Sequence, residues 1–252
     1  MSDSERLDIL NDQGLRILQK PGAFRFGTDS VLLADFAPVK PNDRVVDLGT
    51  GTGILPILMA SRVPGAQFDA LEIQPDMADM AARSVALNRM EDRIHVHACD
   101  LRRAEERFGH GKFTLAVCNP PYGKAKGTIQ SQSEAKRLAR HEAECTIEEI
   151  ASAAGRLLKV GGRLAVIFPA PRLLELMCAL RKCHLEPKRL RTIHALPGRA
   201  PKFVLLDAVK GGGSQLHWME PLVLSDADGE PSAEWRRIYR VDDKQSKIGR
   251  KK

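Results

Sequence analysis

From Arg44 onward the chain changes hydrophobic rhythm at regular intervals. RVVDLG (44–49) is a short apolar run ending in glycine, the pattern of a buried strand. GILPILMASRV reads as a helix with Pro56 in its first turn, where proline is tolerated. QFDALEI predicts a second strand, PDMADMAARSVALNRM a long helix opened by Pro75, IHVHACD a third strand and FTLAVCN a fourth. A polar, basic stretch runs from Gly123 to about Cys145. Beyond it, TIEEIASAAGRLLKV predicts a helix closed by Gly161-Gly162. GRLAVIF is a fifth strand and APRLLELMCALRKC a helix, and two further strands fall near 188–195 and 202–209. Ahead of Arg44 only SVLLADFA is apolar, a short helix that Asp29 or Ser30 would cap. SAEWRRIYR predicts a last short helix after the turn-rich segment 211–231.

Strands that alternate with helices give an α/β fold with a doubly wound, mostly parallel sheet. The last two strands follow each other without a helix, which fits an antiparallel hairpin at the C-terminal edge and brings the expected sheet to seven strands. In such sheets ligands bind beyond the carboxyl ends of the strands, near the switch point. The first four strands end in Asp47, Glu72, Asp100 and Asn119.

Composition narrows the class. An apolar content of 43% over 252 residues supports a sizeable core, and no apolar run reaches a membrane span. The polar N-terminus lacks a basic-then-apolar signal pattern, which places the protein in the cytosol. The five cysteines read as small buried hydrophobes and the histidines as packing residues, so no metal site is expected. Net charge is +7 and unevenly spread. The last nine residues, KQSKIGRKK, hold five basic residues and no acid. Residues 160–210 hold ten Lys/Arg against three acids, among them Arg181, Lys182, Lys188, Arg189 and Arg191. Lys124, Lys126, Lys136, Arg137 and Arg140 follow the fourth strand. Segregated basic segments in a folded chain point to nucleic acid, with plain solubility as the alternative.

The loop DLGTGTG places Gly49, Gly51 and Gly53 between strand and helix, where glycine allows unusual backbone angles and close ligand approach. Ile54 stands where a dinucleotide fingerprint needs its third glycine, and there is no nucleoside-triphosphate loop. Glu72, 21 residues after Gly51, is placed to accept both hydroxyls of a ribose. Asp100 either accepts from an exocyclic amine or caps the turn before LRRAEE. The fourth strand ends in Asn119-Pro120-Pro121-Tyr122. Two prolines cannot continue a ladder, so the chain leaves the sheet stiff. An amide oxygen, the Pro120 carbonyl and the Tyr122 ring together suit a planar group bearing an NH₂.

In this order DLGTGTG, LEI, HACD and NPPY resemble the class I S-adenosylmethionine-dependent methyltransferases, with a Rossmann-like fold. NPPY resembles those that methylate planar amino nitrogens. FRFGTDSVLLADF, NPPY, ARHE (139–142), VKGG (209–212) and EPLVL are similar to a bacterial family of tRNA adenine-N6 methyltransferases acting on the adenosine 3′ of the anticodon in valine tRNA. The resemblance implies S-adenosyl-L-methionine as cofactor and tRNA as substrate; separately, no stable protein partner and no membrane are expected. It implies that Gly49 and Gly51 lie against the methionine part of the cofactor, that Asp47 helps hold its amino group, and that Thr28 and Asp29 close over that end. Glu72 would bind the ribose hydroxyls, Asp100 the adenine amine, and Asn119, Pro120 and Tyr122 the target base, with Asn119 beside the cofactor too. Lys124, Lys126, Arg137, Arg140, Arg181, Lys182, Lys188 and Arg189 form the expected nucleic-acid footprint. One methyltransferase domain, 1–240, is expected, with 1–43 as an extension closing over the cofactor and 241–252 as a basic, flexible tail.

Other readings remain open at this point. N5-glutamine protein methyltransferases also carry NPPY but normally have an extra N-terminal helical domain, and only about 43 residues precede the first core strand here. Methylation of ribosomal RNA or DNA, and a non-catalytic binding protein on the same fold, are the others.

Overall fold

The computed structural model describes residues 5–10, 14–20, 27–121 and 145–239. Its framework is one sheet of seven long strands: β3 (Arg44–Leu48), β4 (Gln67–Glu72), β5 (Ile94–Ala98), β6 (Phe113–Cys118), β7 (Leu158–Pro169), β8 (Leu185–His194) and β9 (Phe203–Lys210). Across the sheet they run β8-β9-β7-β6-β3-β4-β5. All pairings among β5, β4, β3, β6 and β7 are parallel, while β9 is antiparallel to both β7 and β8. The order reverses between β3 and β6, where a ligand crevice forms in such sheets. The expected edge hairpin is therefore present, with its second strand inserted beside β7.

Side-chain alternation along the strands divides two cores, one on each face. Val45, Leu115, Val117, Ala165 and Ile167 pack against α1 (Thr28–Phe36), α2 (Ile54–Arg62) and α3 (Pro75–Leu87). Val46, Leu48, Ala116, Cys118, Leu164 and Val166 face the other way, toward α4 (Ala104–Phe108), α5 (Ile147–Leu157) and α6 (Leu173–Lys182). The central strands β3 and β6, and β7 from Leu164 to Phe168, are thus buried on both sides, which is why they read as continuous apolar runs.

Four features differ from the sequence expectation. A hairpin of β1 (Arg6–Ile9) and β2 (Arg16–Gln19) precedes α1. It is pinned to α3 by Asn88, whose amide exchanges hydrogen bonds of 2.9 and 2.7 Å with the Arg16 backbone. The short strands β10 (His217–Trp218) and β11 (Leu222–Val223) cover the outer edge of β8, making nine strands in all. Neither Asp29 nor Ser30 caps α1; Gly27 stands at its N-cap without a side-chain bond. Finally, Gly161-Gly162 do not close α5, which is opened by a Thr146/Glu149 capping box and ends at Leu157. The two glycines lie inside β7, where its register against β6 shifts. A Cβ on Gly162 would stand 2.8 Å from the Lys159 carbonyl, so the tight bend requires glycine there.

Among the cysteines Cys118 is buried as expected, but Cys178 is exposed. No helix among the described residues is long and apolar enough to cross a membrane.

The antiparallel half is held by one carboxylate. Asp207 on β9 is fully buried and takes Arg163 of β7 at 2.6 Å on one oxygen and Arg189 of β8 on the other. Arg189 also lies over the Phe36 ring at 4.8 Å and donates to the Phe36 carbonyl, tying the end of α1 to the sheet. Removing the acid leaves two guanidinium groups unpaired, a loss at the low end of the range for buried pairs because both arginines keep some solvent contact. Asp207→Ala should lower unfolding stability by about 3 kcal/mol, measured by urea titration at pH 7. A change under about 0.5 kcal/mol would show that surface pairs, not a buried clasp, are what Asp207 makes.

Candidate functional site

A cleft of about 1100 Å³, mouth included, opens at the carboxyl edge of the sheet over the β3/β6 reversal. Its lining comes from four strand ends and their following loops: Gly49–Thr52 after β3, Glu72–Gln74 after β4, Cys99–Leu101 after β5 and Asn119 with Pro121 after β6. Ser30 of α1, Met77 of α3 and Ile150 of α5 complete the walls.

The glycine loop has the geometry its sequence requires. Gly49, Gly51 and Gly53 have φ of 81°, 58° and 85°, a region that side-chain-bearing residues avoid. A Cβ built on Gly49 or Gly51 would meet nothing within 4 Å, because that space belongs to the cleft. Gly53 differs: its Cβ would press on Ala81 of α3 at 3.3 Å. The first two glycines keep space for a ligand, and the third lets a helix approach.

Glu72 is buried and already engaged. Its carboxylate accepts the Gly51 N–H at 2.9 Å and the Gln74 N–H at 3.0 Å, joining the loops after β3 and β4. A carboxylate offers about four acceptor positions, so two sites remain for hydroxyls. Asp100 caps the turn at Leu101–Arg103 by accepting the Arg102 N–H, and it also binds the Arg102 guanidinium at 2.6 Å. That hydrogen-bonded arginine holds the Asp100 carboxyl below its usual range. Both sequence alternatives for Asp100 therefore meet in one residue: it caps a turn and it lines the cleft.

Asp47 lies beneath the glycine loop and not on the cleft wall. Burial pushes its carboxyl up to about 7, against a smaller downward pull from nearby Thr50, and the charge of Glu72 adds to the rise. Neither Asp47 oxygen, nor the Thr50 hydroxyl, reaches a partner with hydrogen-bond geometry.

Asn119 is half-buried at the mouth, and its Nδ2 donates to the buried Ser30 Oγ at 2.9 Å. Pro120 is buried and Pro121 exposed. Thr28 and Asp29 stand in the first turn of α1, next to Ser30 but off the cleft lining. Burial raises the Asp29 carboxyl above its usual range. Tyr122, Lys124, Lys126, Arg137 and Arg140 lie outside the described residues.

The remaining basic candidates do not gather here. The helix α6 starts after the carboxyl end of β7 and runs back, so Arg181 and Lys182 at its end lie at the opposite edge of the sheet. Arg181 pairs with Glu186 at 3.2 Å, Lys188 donates to the Gly213 carbonyl, and Arg189 belongs to the Asp207 clasp.

Several cleft residues carried little sequence signal. Ile73 and Leu101 each follow a strand-end acid and give apolar walls beside Glu72 and Asp100, a pairing that the sequence does display. Ser30 is different, since its partner Asn119 is 89 residues away. Cys99 and Cys145 also line the cleft, with thiols raised by burial, Cys145 to about 11, so both stay protonated at neutral pH.

The state of Asp47 can be read from stability. Its folded value of about 7 exceeds the ordinary 3.8, so between these values the native chain binds more protons than the unfolded chain. Stability contributed by the protonated form is therefore lost as pH rises from about 4 to about 7. Urea unfolding of ligand-free Asp47→Asn should decline less over that window than wild type, leaving the variant relatively more stable at pH 8. Parallel pH profiles for the two proteins would reject a partnerless buried carboxyl.

Comparison with known proteins agrees with this geometry. Residues 14–182 match the family model described as methyltransferase small domain. A tRNA1(Val) (adenine(37)-N6)-methyltransferase from Porphyromonas gingivalis is 31% identical over 239 residues, covering 92% of this chain and 93% of that protein. One of the same description from Tolumonas auensis is 33% identical over 193 residues, 73% and 76% of the two chains. The crystal structure of a protein from Agrobacterium tumefaciens, described as a predicted O-methyltransferase, superposes with a TM-score of 0.69 at 23% identity, covering 84% of this chain and 95% of that one. A glycine loop, strand-end carboxylates and Asn119 around one cleft, with this similarity over nearly the whole length, place the chain in the methyltransferase small-domain family and, within it, in the tRNA1(Val) (adenine(37)-N6)-methyltransferase family.

Proposed function

We propose that this protein methylates N6 of an adenine in tRNA, the anticodon-loop adenosine of valine tRNA, using S-adenosyl-L-methionine, and that it does so in the cytoplasm as a single-domain enzyme. The observation that carries the reading is the placement of Asn119 at the mouth of the glycine-lined cleft, its amide nitrogen held by Ser30.

The cleft suits the cofactor on its own chemistry. The open space over Gly49 and Gly51 admits a chain that a Cβ would exclude. Glu72 has acceptor positions left for ribose hydroxyls, and Ile73 and Leu101 provide apolar contact for a purine whose amine faces Asp100. Thr28 and Asp29, in the first turn of α1 beside the cleft residue Ser30, would close over the methionine portion. Asp47 acts from beneath the loop through its charge, which a bound ammonium group would favour. When bound, the cofactor supplies an activated methyl group on a sulfonium.

The protein's task is the nucleophile. The adenine N6 lone pair is delocalised into the ring. With Nδ2 donating to Ser30, Oδ1 is the end of the Asn119 amide that would accept from a bound base. Asn119 Oδ1 and the Pro120 carbonyl then accept the two N6–H groups, orienting the lone pair toward the methyl and stabilising positive charge as it develops on nitrogen. Fixing both reactants in line removes much of the entropic barrier. The extra proton leaves N6 after transfer, so no strong base is needed. Tyr122 follows directly in sequence as the stacking ring for an extruded base.

Incubation with S-adenosylmethionine and unmodified tRNA, followed by nucleoside mass spectrometry, should yield N6-methyladenosine mapped to that position. Methylation appearing instead on protein glutamine, ribosomal RNA or DNA would replace the reading. Asn119→Ala should lose at least about 100-fold in single-turnover rate with cofactor affinity kept. Ser30→Ala should lose about tenfold, with Ser30→Thr restoring most of it. An Asn119→Ala enzyme with wild-type turnover would remove the proposed role.

A further inference from the structure

The turn between β8 and β9 emerges at the same edge of the sheet as the cleft, two to three strands from β6, and carries two exposed cations. We infer that Arg199 and Lys202 on this turn are a docking surface for the tRNA backbone, in place of the basic cluster at the end of α6. The inference rests on the reading above and specifies which surface meets the substrate.

Topology sets the position. The strand β9 is antiparallel to both β7 and β8, so β8 points the same way as β7 and β6, and its following turn emerges at the cleft edge. Cys118, one residue before Asn119, is level with Val166 of β7. Beyond that level β7 continues to Pro169, which pairs with Phe203 of β9, and Phe203 in turn pairs with Ile193. Three further residues raise the rim by roughly 10 Å above the strand end that carries Asn119. Laterally, β9 and β8 lie two and three strands from β6, about 10 to 15 Å away. A nucleic-acid strand leaving an extruded base crosses that distance within a few nucleotides.

The turn is braced, so its cations are presented and not merely present. Arg199 N–H donates to the Leu196 carbonyl across Pro197 and Gly198, with Gly198 at φ 70°. Proline followed by a positive-φ glycine is the composition of a type II turn. His194 Nδ1 lies 2.6 Å from the Arg199 carbonyl, while its Nε2 lies 2.9 Å from Thr192 Oγ1. Lys202 N–H donates to Ile193, and the Lys202 carbonyl accepts from Ala170 at the end of β7. Both ends of the turn are thus fixed, one to β8 and the other to the end of β7.

Charge then gives the partner. Arg199 and Lys202 are exposed, and neither side chain has an ion-pair partner among the described residues. No acid occurs between Glu186 and Asp207. On the outer side, Ser225 N–H bonds the Ala195 carbonyl and brings the exposed Asp226 and Asp228 alongside. A polyanion is attracted to the crest and repelled from the outer flank, which directs it inward toward Asn119. Arg181 and Lys182 are as basic but lie at the far edge.

The test uses the full-length enzyme with unmodified valine tRNA transcript. Arg199→Glu/Lys202→Glu should raise both the tRNA dissociation constant and KM by at least about tenfold and flatten the salt dependence of binding by about two phosphate contacts. Melting temperature and S-adenosylmethionine affinity should stay at wild type. Arg181→Glu/Lys182→Glu, with the same charge change, should bind like wild type. Unchanged tRNA binding by the first variant, or an equal loss by the second, overturns the docking surface. Wild-type protein that binds but does not methylate valine tRNA, with binding still lost in the first variant, overturns the proposed reaction and leaves the surface standing. Wild-type protein that does neither overturns both.

Discussion

The carboxylate of Glu72 is the constraint on which the cleft depends. It is buried, and its two oxygens accept backbone N–H groups from two different loops, Gly51 at 2.9 Å and Gln74 at 3.0 Å. An ionised acceptor makes these bonds stronger than neutral pairs of the same length. The glycine loop has three residues in the left-handed region, and besides Glu72 it is tied to β4 by the Gly49 and Thr50 N–H groups, which donate to the Leu71 carbonyl. Left alone, such a segment samples many conformations. Glu72 and the Leu71 carbonyl together select one of them, and in that one the Cβ directions of Gly49 and Gly51 open into the cleft. The residue that would bind the cofactor ribose therefore also shapes the surface for the cofactor's other end. A substitution there would disturb both at once.

A second chain of contacts reaches the reacting group from the other half of the sheet. Asp207 holds Arg189, Arg189 holds the Phe36 carbonyl, and Phe36 ends the helix whose first turn carries Ser30. Ser30 in turn holds Asn119. From Ser30 to Phe36 is six residues, about 9 Å of helix. A helix is stiff over that length, so fixing its C-terminal end limits how far Ser30 moves from the end of β6. The buried acid in the antiparallel half thus contributes to the placement of an amide in the parallel half.

The central strands are legible because burial on both faces makes each a short apolar run, and the residue at which each run stops marks the ligand edge. Glu72, Asp100 and Asn119 each stand where such a run stops, and all three line the cleft. Asp47 ended a run as well, but one residue of strand remains beyond it and its carboxyl lies beneath the loop. The two-residue strands β10 and β11 are too short to have a period, and the β1–β2 hairpin depends on Asn88 and Ser84 of α3 for its backbone partners. Gly161-Gly162 read as a helix stop because a stop and a bend within a strand both call for glycine; only the crowding by the Lys159 carbonyl separates them. Arg181 and Lys182 were counted with Lys188 and Arg189 because composition adds charges without direction. Which edge a cation occupies is set by the strand order, and that is a property of the whole sheet.

Strand direction also explains why the cleft has two kinds of wall. In a parallel sheet every loop at the carboxyl edge leads into a helix, and here the loops after β3, β4 and β5 are occupied with glycine turns and carboxylates beside the cofactor space. A loop so committed has little freedom to vary without losing the ligand it holds. Inserting β9 antiparallel beside β7 sends β8 toward the same edge and ends it in a hairpin turn. That turn is held by strand-end hydrogen bonds at Ile193, Arg199 and Ala170 and contributes nothing to the cleft lining. Its side chains can therefore be chosen for whatever lies above the cleft, independently of the cofactor below. The antiparallel insertion of β9 thus keeps the β8–β9 turn apart from the cleft lining, while the Ala170–Lys202 hydrogen bond ties it to the end of β7.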